Sequence, residues 1–117
     1  MKLYGLESQP EAAIVVASQM HVFFGAEQKQ TTDPDTQEEK TVWSCSYVTV
    51  PATANYGDIV SAVIGERYSM DDQYAILANH ASDPEKTKAE YEAFQAWRVE
   101  AKKIAKAALK YLNGTEV

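Results

Sequence analysis

The sequence is poor in the residue types on which most catalytic and metal-binding motifs depend. Cys45 is the only cysteine, so the chain can form neither an internal disulfide nor a thiolate zinc cluster. The two histidines, His21 and His80, are too far apart to match a metal-binding motif, and the five glycines are scattered rather than gathered in a phosphate-binding loop. We therefore predict no catalytic residue, no metal site and no cofactor.

Basic charge and long apolar segments are also scarce. The formal net charge of -6 disfavours nucleic acids and anionic lipids as partners, because both select basic surfaces. The apolar run at 12–16 is far too short to cross a bilayer, and residues 1–11 lack the apolar stretch of a secretory signal. These absences predict a cytoplasmic protein that binds neither nucleic acid nor membranes.

The composition of the sequence changes near residue 55. β-branched and aromatic residues are frequent before it, and Ala, Glu and Lys are frequent after it, an order that indicates strands followed by helices. We predict a single α+β domain over residues 1–117. It has a β region at 1–55, forming an antiparallel hairpin or small sheet, and a helical region at 56–117 with three helices, the last one long.

Apolar residues at every second position predict two strands in the β region. In the first stretch these positions are Ile14, Val16, Met20, Val22 and Phe24. A helix would also fit this stretch, but its β-branched residues and Gly25 favour a strand with a break at 18–19. In the second stretch, Trp43, Cys45 and Tyr47 are predicted to share one face. The residues predicted on the opposite face are Val42, Val48 and Val50.

Residues 27–40, between the two strands, contain no apolar side chain. The segment Asp33-Pro34-Asp35 is a turn signal, because proline presets its own backbone angle and aspartate side chains cap the turned backbone. We predict a long hairpin whose acidic loop, 27–40, is exposed.

Start signals mark the first two helices of the second half. The first helix is predicted over Gly57–Tyr68. The second is predicted to begin after Ser69, because the Ser69 hydroxyl and the Asp72 carboxylate fit a reciprocal capping box, and Asp71 and Asp72 suit the positive end of the helix dipole. We expect an apolar stripe of this helix to dock against the core. The stripe consists of Met70, Tyr74, Leu77 and Ala81.

The third helix is predicted over Pro84–Leu112, with Asp83 as its N-cap and Asn113-Gly114 as its stop signal. Its apolar residues recur at spacings of three and four, as in a coiled-coil seam. They are Phe94, Trp97, Ala101, Ile104, Ala108 and Tyr111. We predict that this helix binds a protein partner or a second copy of the chain. The predicted interaction residues are Trp97, Arg98, Ile104, Ala108 and Tyr111.

Two of these side chains have an alternative interpretation. Large aromatic residues at seam positions usually pack internally, and the aliphatic stem of an arginine can cover them. For Trp97 we favour a core position covered by Arg98. Cys45, paired with His21 or His80, would make a nucleophile and a base, but in a half-buried strand a thiol behaves as a small hydrophobic side chain, and we favour that role.

Three segments within residues 42–112 are distinctive: Tyr56–Val60, Tyr68–Asp72 and Phe94–Lys102. In this order they resemble a group of small proteins from prophage-like tail modules of gut bacteria. The resemblance implies a structural role, as a virion component or a tail-assembly factor, and implies no catalytic activity.

Two classes of function are compatible with the sequence. The first is a non-enzymatic structural or interaction protein, a phage or prophage tail component or assembly factor, which acts through the long helix and the hairpin. The second is a small-molecule binding module or small hydrolase with a pocket between sheet and helices, lined by Tyr47, Tyr74 or Trp97. We favour the first class.

The adjacent carboxylates of Asp71 and Asp72 allow a test of a structural against a metal-binding role. If they only begin a helix, adding Ca²⁺, Mg²⁺ or Mn²⁺ will leave the melting temperature unchanged, because no further ligands converge on them. Thermal unfolding with and without each cation measures this. A saturable rise in melting temperature that disappears in Asp72→Ala would contradict the prediction.

Overall fold

The computed structural model describes residues 1–113, which form a four-stranded antiparallel sheet followed by three helices. The strands are β1 (Lys2–Leu6), β2 (Ala13–Val16), β3 (Gln19–Thr32) and β4 (Glu39–Pro51), in the spatial order β1-β4-β3-β2. The helices are α1 (Tyr56–Arg67), α2 (Met70–Ser82) and α3 (Lys88–Asn113). The predicted α+β architecture, with its long final helix, is confirmed.

Side-chain alternation in β3 and β4 gives the sheet a helix-covered face and an open face. Met20, Val22 and Phe24 of β3 are buried against the helices, and Val48 and Val50 of β4 are buried beside them. This confirms the predicted alternation for Met20, Val22 and Phe24 and the common face of the two valines. For Ile14 and Val16 the prediction is wrong, because the turn between β2 and β3 places them opposite His21 and Gln19, on the open face, and Val16 is 54% exposed. The predicted break is also confirmed, because β2 ends and β3 begins on either side of a turn at 17–18.

Strand β1 is not predicted by the apolar pattern of the sequence. It pairs antiparallel with β4, with Lys2 opposite Ser46 and Leu3 opposite Cys45. Tyr4 is 74% exposed, so the segment has little of the apolar alternation by which half-buried strands are recognised. Backbone pairing along the edge of the sheet therefore orders this strand.

Local capping signals define the starts of α1 and α2. Asn55 caps α1 by accepting a hydrogen bond from the backbone N–H of Asp58 at 2.9 Å. The Ser69 hydroxyl accepts from the backbone N–H of Asp72 at 3.1 Å, and the Ser69 N–H donates to the Asp72 carboxylate at 3.4 Å. The predicted capping box is therefore confirmed, with Met70 as the first residue of α2.

The predicted start of the third helix at Pro84 is wrong. Residues 84–87 form a turn, and α3 begins at Lys88. The Asp83 carboxylate accepts from the Lys86 N–H at 3.2 Å, and the Thr87 hydroxyl donates to the Asp83 carbonyl at 2.7 Å. Since Asp83 is also the C-cap of α2, it organises a turn between two helices. Helix α3 continues to Asn113, and Gly114 of the predicted stop signal lies outside the described residues.

The core lies between the helix-covered face of the sheet and helices α1 and α3. Phe94 and Trp97 of α3 are buried there, together with Ile59 and Val63 of α1. Farther along α3, three alanines have no exposed surface, and their small side chains allow the helix to approach the sheet closely. These alanines are Ala101, Ala105 and Ala108. Helix α2 packs chiefly on α3.

The outer parts of β3 and β4 project from this body as a two-stranded ribbon, residues 27–42, which we call the β-arm. The pairing of β1 ends opposite Trp43 and that of β2 ends near Phe23, so neither strand covers the arm. The arm accounts for a radius of gyration of 17.5 Å, against roughly 13 Å for a compact chain of this length. The long hairpin is confirmed, but the predicted loop at 27–40 is mostly strand, and only 33–38 form the turn.

A β-bulge at the base of the β-arm depends on Gly25. The pairing of β3 with β4 shifts register between Phe24 and Glu27, and Gly25 has a φ angle of 64°. A residue with a Cβ atom is strained in this left-handed region, whereas glycine adopts it freely. The bulge thus sets where the arm leaves the helix-covered part of the sheet.

We expect Gly25→Ala to lower the free energy of unfolding by about 1–2 kcal/mol, because the new Cβ is strained at this φ angle. Gly65→Ala is the matched control: Gly65 lies inside α1, a Cβ there would meet nothing within 4 Å, and the change should stabilise the protein by up to about 1 kcal/mol. Urea unfolding measures both. Equal effects of the two substitutions would contradict a strained glycine at the bulge.

Candidate protein-interaction surfaces

The structure divides the predicted interaction residues of α3 into buried and accessible ones. Ala108 has no exposed surface, so a partner cannot reach it without opening the core. Trp97 is 7% exposed, and only its edge is reachable, in a groove between β3 and the helices. Arg98 and Ile104 are half-buried at the surface, and Tyr111 is 48% exposed. The accessible part of the predicted surface therefore consists of Arg98, Ile104 and Tyr111.

Trp97 is held inside the protein by contacts with α1. Its indole N–H donates a hydrogen bond to the Val63 carbonyl at 3.1 Å, and the Arg67 guanidinium lies 3.7 Å from the centroid of its ring. The core position that we favoured for Trp97 is therefore confirmed. The prediction that Arg98 covers it is wrong, because Arg67 takes that place and Arg98 donates to Gln95 at 3.0 Å instead.

Tyr111 lies beside the connection between β1 and β2. A hydrogen bond with the Glu11 side chain raises the pKa of Tyr111, with a smaller contribution from the negative charge of that carboxylate. The last turn of α3 thus contacts a loop of the β region.

The apolar stripe predicted to dock α2 points away from the core, so that prediction is wrong. All four residues of the stripe are exposed: Met70, Tyr74, Leu77 and Ala81. Ile76 is the buried residue of α2, and the His80 ring stacks on Tyr91 of α3 at 3.6 Å between centroids. These contacts turn the stripe outward. A row of large apolar side chains on one exposed helix face is typical of a protein-binding surface.

The open face of the sheet carries a cluster of half-buried rings. The Tyr47 ring lies 6.0 Å from that of His21 and 6.1 Å from that of Phe23, measured between centroids. The Nδ1 atom of His21 is 2.9 Å from the Thr49 hydroxyl oxygen. These contacts give His21 the satisfied structural position that is usual for a histidine in a strand.

Cys45 lies on β4, the strand of Tyr47, and is 3% exposed. Burial raises the pKa of its thiol, which lowers the thiolate fraction at neutral pH. His80 lies in α2, on the helix-covered side, whereas the alternation of β4 places Cys45 with Tyr47 on the open face. His21 shares the open face, but it pairs with Thr49, four residues along β4 from Cys45, which is about 13 Å at the rise of a strand. These positions favour the structural role for Cys45 over the nucleophile hypothesis.

The residues expected to line a small-molecule pocket lie on three different surfaces. Tyr47 is on the open face, Tyr74 is on the exposed side of α2, and Trp97 is in the core. A groove of about 400 Å³ does lie between sheet and helices, and of the three aromatic residues only Trp97 lines it, beside Phe24 and Arg67. A second groove, of about 300 Å³, lies between the β1–β2 connection and the open face, where Ile14 and Phe23 line it. The structure therefore does not bring the three predicted aromatic residues together.

No group of three or more His, Cys, Asp or Glu side chains in residues 1–113 is arranged to hold a metal ion. None of the helices described is both long enough and apolar enough to cross a membrane.

Comparisons with protein-family models, with curated proteins and with solved structures return no match for this chain. The surfaces described above are therefore the basis for a functional proposal.

The β-arm is the accessible surface that the sequence pattern underestimates. All of residues 25–32 are exposed, although they form a regular strand from 27 onward. The Gln30 side chain donates to the Thr41 hydroxyl across the ribbon at 2.9 Å. The β-branched residues Thr31 and Thr32 are the sequence signal for extending the strand past Gly25.

Adjacent residues of α2 allow a test of which face packs inside. Ile76→Ala should lower the free energy of unfolding by about 2–4 kcal/mol, since Ile76 is 4% exposed and its removal leaves a cavity. Leu77→Ala should change the same quantity by less than about 1 kcal/mol, because Leu77 is 44% exposed. Chemical denaturation measures both. A larger loss for the Leu77 variant would mean that the predicted stripe does dock.

Proposed function

We propose that this chain is a non-enzymatic structural protein that binds other proteins, as a component or assembly factor of a phage or prophage tail. The observation that carries the proposal is the β-arm, whose β3 residues from 27 to 32 are all exposed. Ordering such a ribbon costs conformational entropy, and the ribbon returns almost no apolar burial to its own domain. Contacts with another chain would supply that burial and pairing.

Other accessible surfaces support a protein partner. The exposed stripe of α2 offers apolar area, and Arg98, Ile104 and Tyr111 remain reachable on α3. The arm is predominantly acidic, so a partner that contacts it is expected to be basic at that contact. The acidic side chains of the arm are Glu27, Asp33, Asp35, Glu38 and Glu39, against two lysines, Lys29 and Lys40. The resemblance to proteins of tail modules supports the tail as the setting.

The alternative function, a small-molecule binding module or small hydrolase, requires polar groups that converge in a pocket. Of the aromatic residues predicted to line such a pocket, only Trp97 lines a groove between sheet and helices, and the polar side chains of that groove are limited to Arg67 and Glu100. We therefore favour the structural protein.

The test is co-expression of the full chain with the proteins encoded by its neighbouring genes, followed by affinity purification. An arm-shortened variant replaces residues 30–41 by Asn-Gly, which leaves Lys29 paired with Val42 and closes the hairpin with a favoured two-residue turn. We expect the wild-type chain to retain a tail structural protein, and we expect the arm-shortened variant to lose it while keeping a cooperative thermal unfolding transition.

Tyr74→Ser serves as the matched variant for the second surface, since it removes one exposed apolar ring from α2 and leaves the arm intact. Two results would contradict the proposed function. One is a neighbourhood whose products are enzymes and do not bind the chain. The other is a tail protein that binds the arm-shortened variant as tightly as the wild type.

A further inference from the structure

The outer edge of β3 in the β-arm presents backbone groups that no strand of residues 1–113 covers. On β4, the Tyr47 N–H donates to the carbonyl of Met1, the residue before β1, at 2.9 Å, so the even-numbered residues of β4 direct their backbone groups to β3. In the arm these even-numbered residues are Ser44, Val42 and Lys40, opposite Glu27, Lys29 and Thr31. The other residues of that part of β3 therefore direct their backbone N–H and C=O groups to the uncovered edge. They are Gln28, Gln30 and Thr32.

An uncovered edge of this kind is a template for pairing with another strand. In the arm, it belongs to a two-stranded ribbon, an arrangement that is only marginally stable in water on its own. Charges along the edge decide which strand it accepts. Glu27 and Lys29 flank Gln28, so this short segment carries one charge of each sign on the same face of the ribbon.

This charge order is self-complementary in one antiparallel register. A two-fold axis through Gln28 places Gln28 of one chain opposite Gln28 of a second copy, and the outward N–H and C=O groups of the two residues then bond to each other. In this register Glu27 of each chain lies opposite Lys29 of the other. These two pairs are non-hydrogen-bonded pairs, the type in which cross-strand side chains come closest.

Neighbouring registers are disfavoured by the same charges. The outward backbone groups belong to even-numbered residues. In every permitted register, an even-numbered residue of one chain therefore lies opposite an even-numbered residue of the other. Moving the axis to Glu27 places two glutamates opposite each other, and moving it to Lys29 places two lysines opposite each other. Moving it to Gln30 brings Glu27 opposite Asp33. Moving it to Thr31 brings Lys29 opposite Asp33, but Asp33 lies beyond the end of β3 and is already 4.0 Å from the Lys40 ammonium. Like charges directly opposite are destabilising, so among registers whose charged pairs lie within β3 only the axis at Gln28 pairs opposite charges.

We propose that two copies of this chain associate by antiparallel pairing of their β3 arm edges about Gln28, with Glu27 of each copy opposite Lys29 of the other. The two ribbons then form one four-stranded sheet over residues 26–30 of each copy. Pairing stops there because the edge of β3 at Phe23, where Asp33 of the second copy would fall, is already bonded to Ala12. The inference builds on the proposed function and names the chain itself as one partner. A chain that stays monomeric would overturn only this pairing and would leave the binding of a tail protein in place.

The association is expected to be weak. A few paired residues on each chain bury less than the roughly 1,000 Å² of a stable interface, so the dissociation constant should lie at roughly 10⁻⁵–10⁻³ M. Sedimentation equilibrium of the full chain over this concentration range measures it directly. A wild-type chain that remains monomeric up to about 1 mM would overturn the proposal.

Charge reversal tests the register. Glu27→Lys places lysine opposite Lys29 at both symmetric positions, and Lys29→Glu places glutamate opposite Glu27, so each single variant should weaken dimerisation at least about tenfold. The double variant, Glu27→Lys with Lys29→Glu, restores both opposite-charge pairs and should return to within about threefold of the wild type. Dimerisation that is unchanged in the single variants, or a double variant that is not rescued, would overturn the proposal.

Glu90→Lys is the control for the change in net charge, because it replaces glutamate by lysine, as Glu27→Lys does, but at an exposed position of α3. Reducing the net charge of -6 lessens the general repulsion between copies, so this control should dimerise as well as or better than the wild type. A loss of dimerisation in Glu90→Lys equal to that in Glu27→Lys would remove the support for a specific register.

Disulfide trapping gives a second readout that needs no charge change. In the proposed register, Gln28→Cys places two cysteines directly opposite each other, whereas Gln30→Cys places them several residues apart. Because Cys45 is buried, mild oxidation should link the Gln28 variant into a dimer and leave the Gln30 variant unlinked. Linkage of the Gln30 variant at an equal or faster rate would overturn the register.

Discussion

The hydrogen bond from the Trp97 indole to the Val63 carbonyl fixes how the two core helices lie on the sheet. An indole N–H buried without an acceptor would cost about 1–3 kcal/mol, so α1 and α3 are held at the separation that keeps the 3.1 Å bond. The same ring lies 5.8 Å from that of Phe24 on β3, which ties the helix pair to the centre of the sheet. Helix α2 depends on this arrangement in turn, because it packs chiefly on α3.

Local signals predicted the parts of the fold that local interactions form. The capping box of Ser69 and Asp72 joins residues three apart, and the alternation of β3 and β4 is visible within each strand. The features that the sequence pattern does not predict correctly are those set by contacts between residues far apart in the chain. Two faces of α2 carry apolar side chains, and the choice between them depends on the stacking of His80 on Tyr91. Strand β1 is ordered by β4, some forty positions along the chain from it.

The candidate site was less predictable than the fold, for two physical reasons. The apolar spacing of α3 correctly indicates a packed seam, but it cannot say whether the packing partner lies in the same chain, and Trp97 and Ala108 belong to the core. The spacing of apolar residues does not reveal the strands of the β-arm, because a ribbon with polar residues on both faces has no apolar period. Its order comes from cross-strand contacts such as that of Gln30 with Thr41, which become evident only once the register is known.

The residues that fold this protein and the residues that project from it are almost separate sets. The side chains of β3 from 27 to 32 take no part in the buried core, whereas exchanging Ala101 or Ala105 for a larger residue would lift α3 off the sheet. Substitutions in the arm can therefore accumulate during evolution at little cost to stability. Related proteins could therefore change their binding specificity through substitutions in the β-arm alone, while the sheet and the helices that support it stay the same.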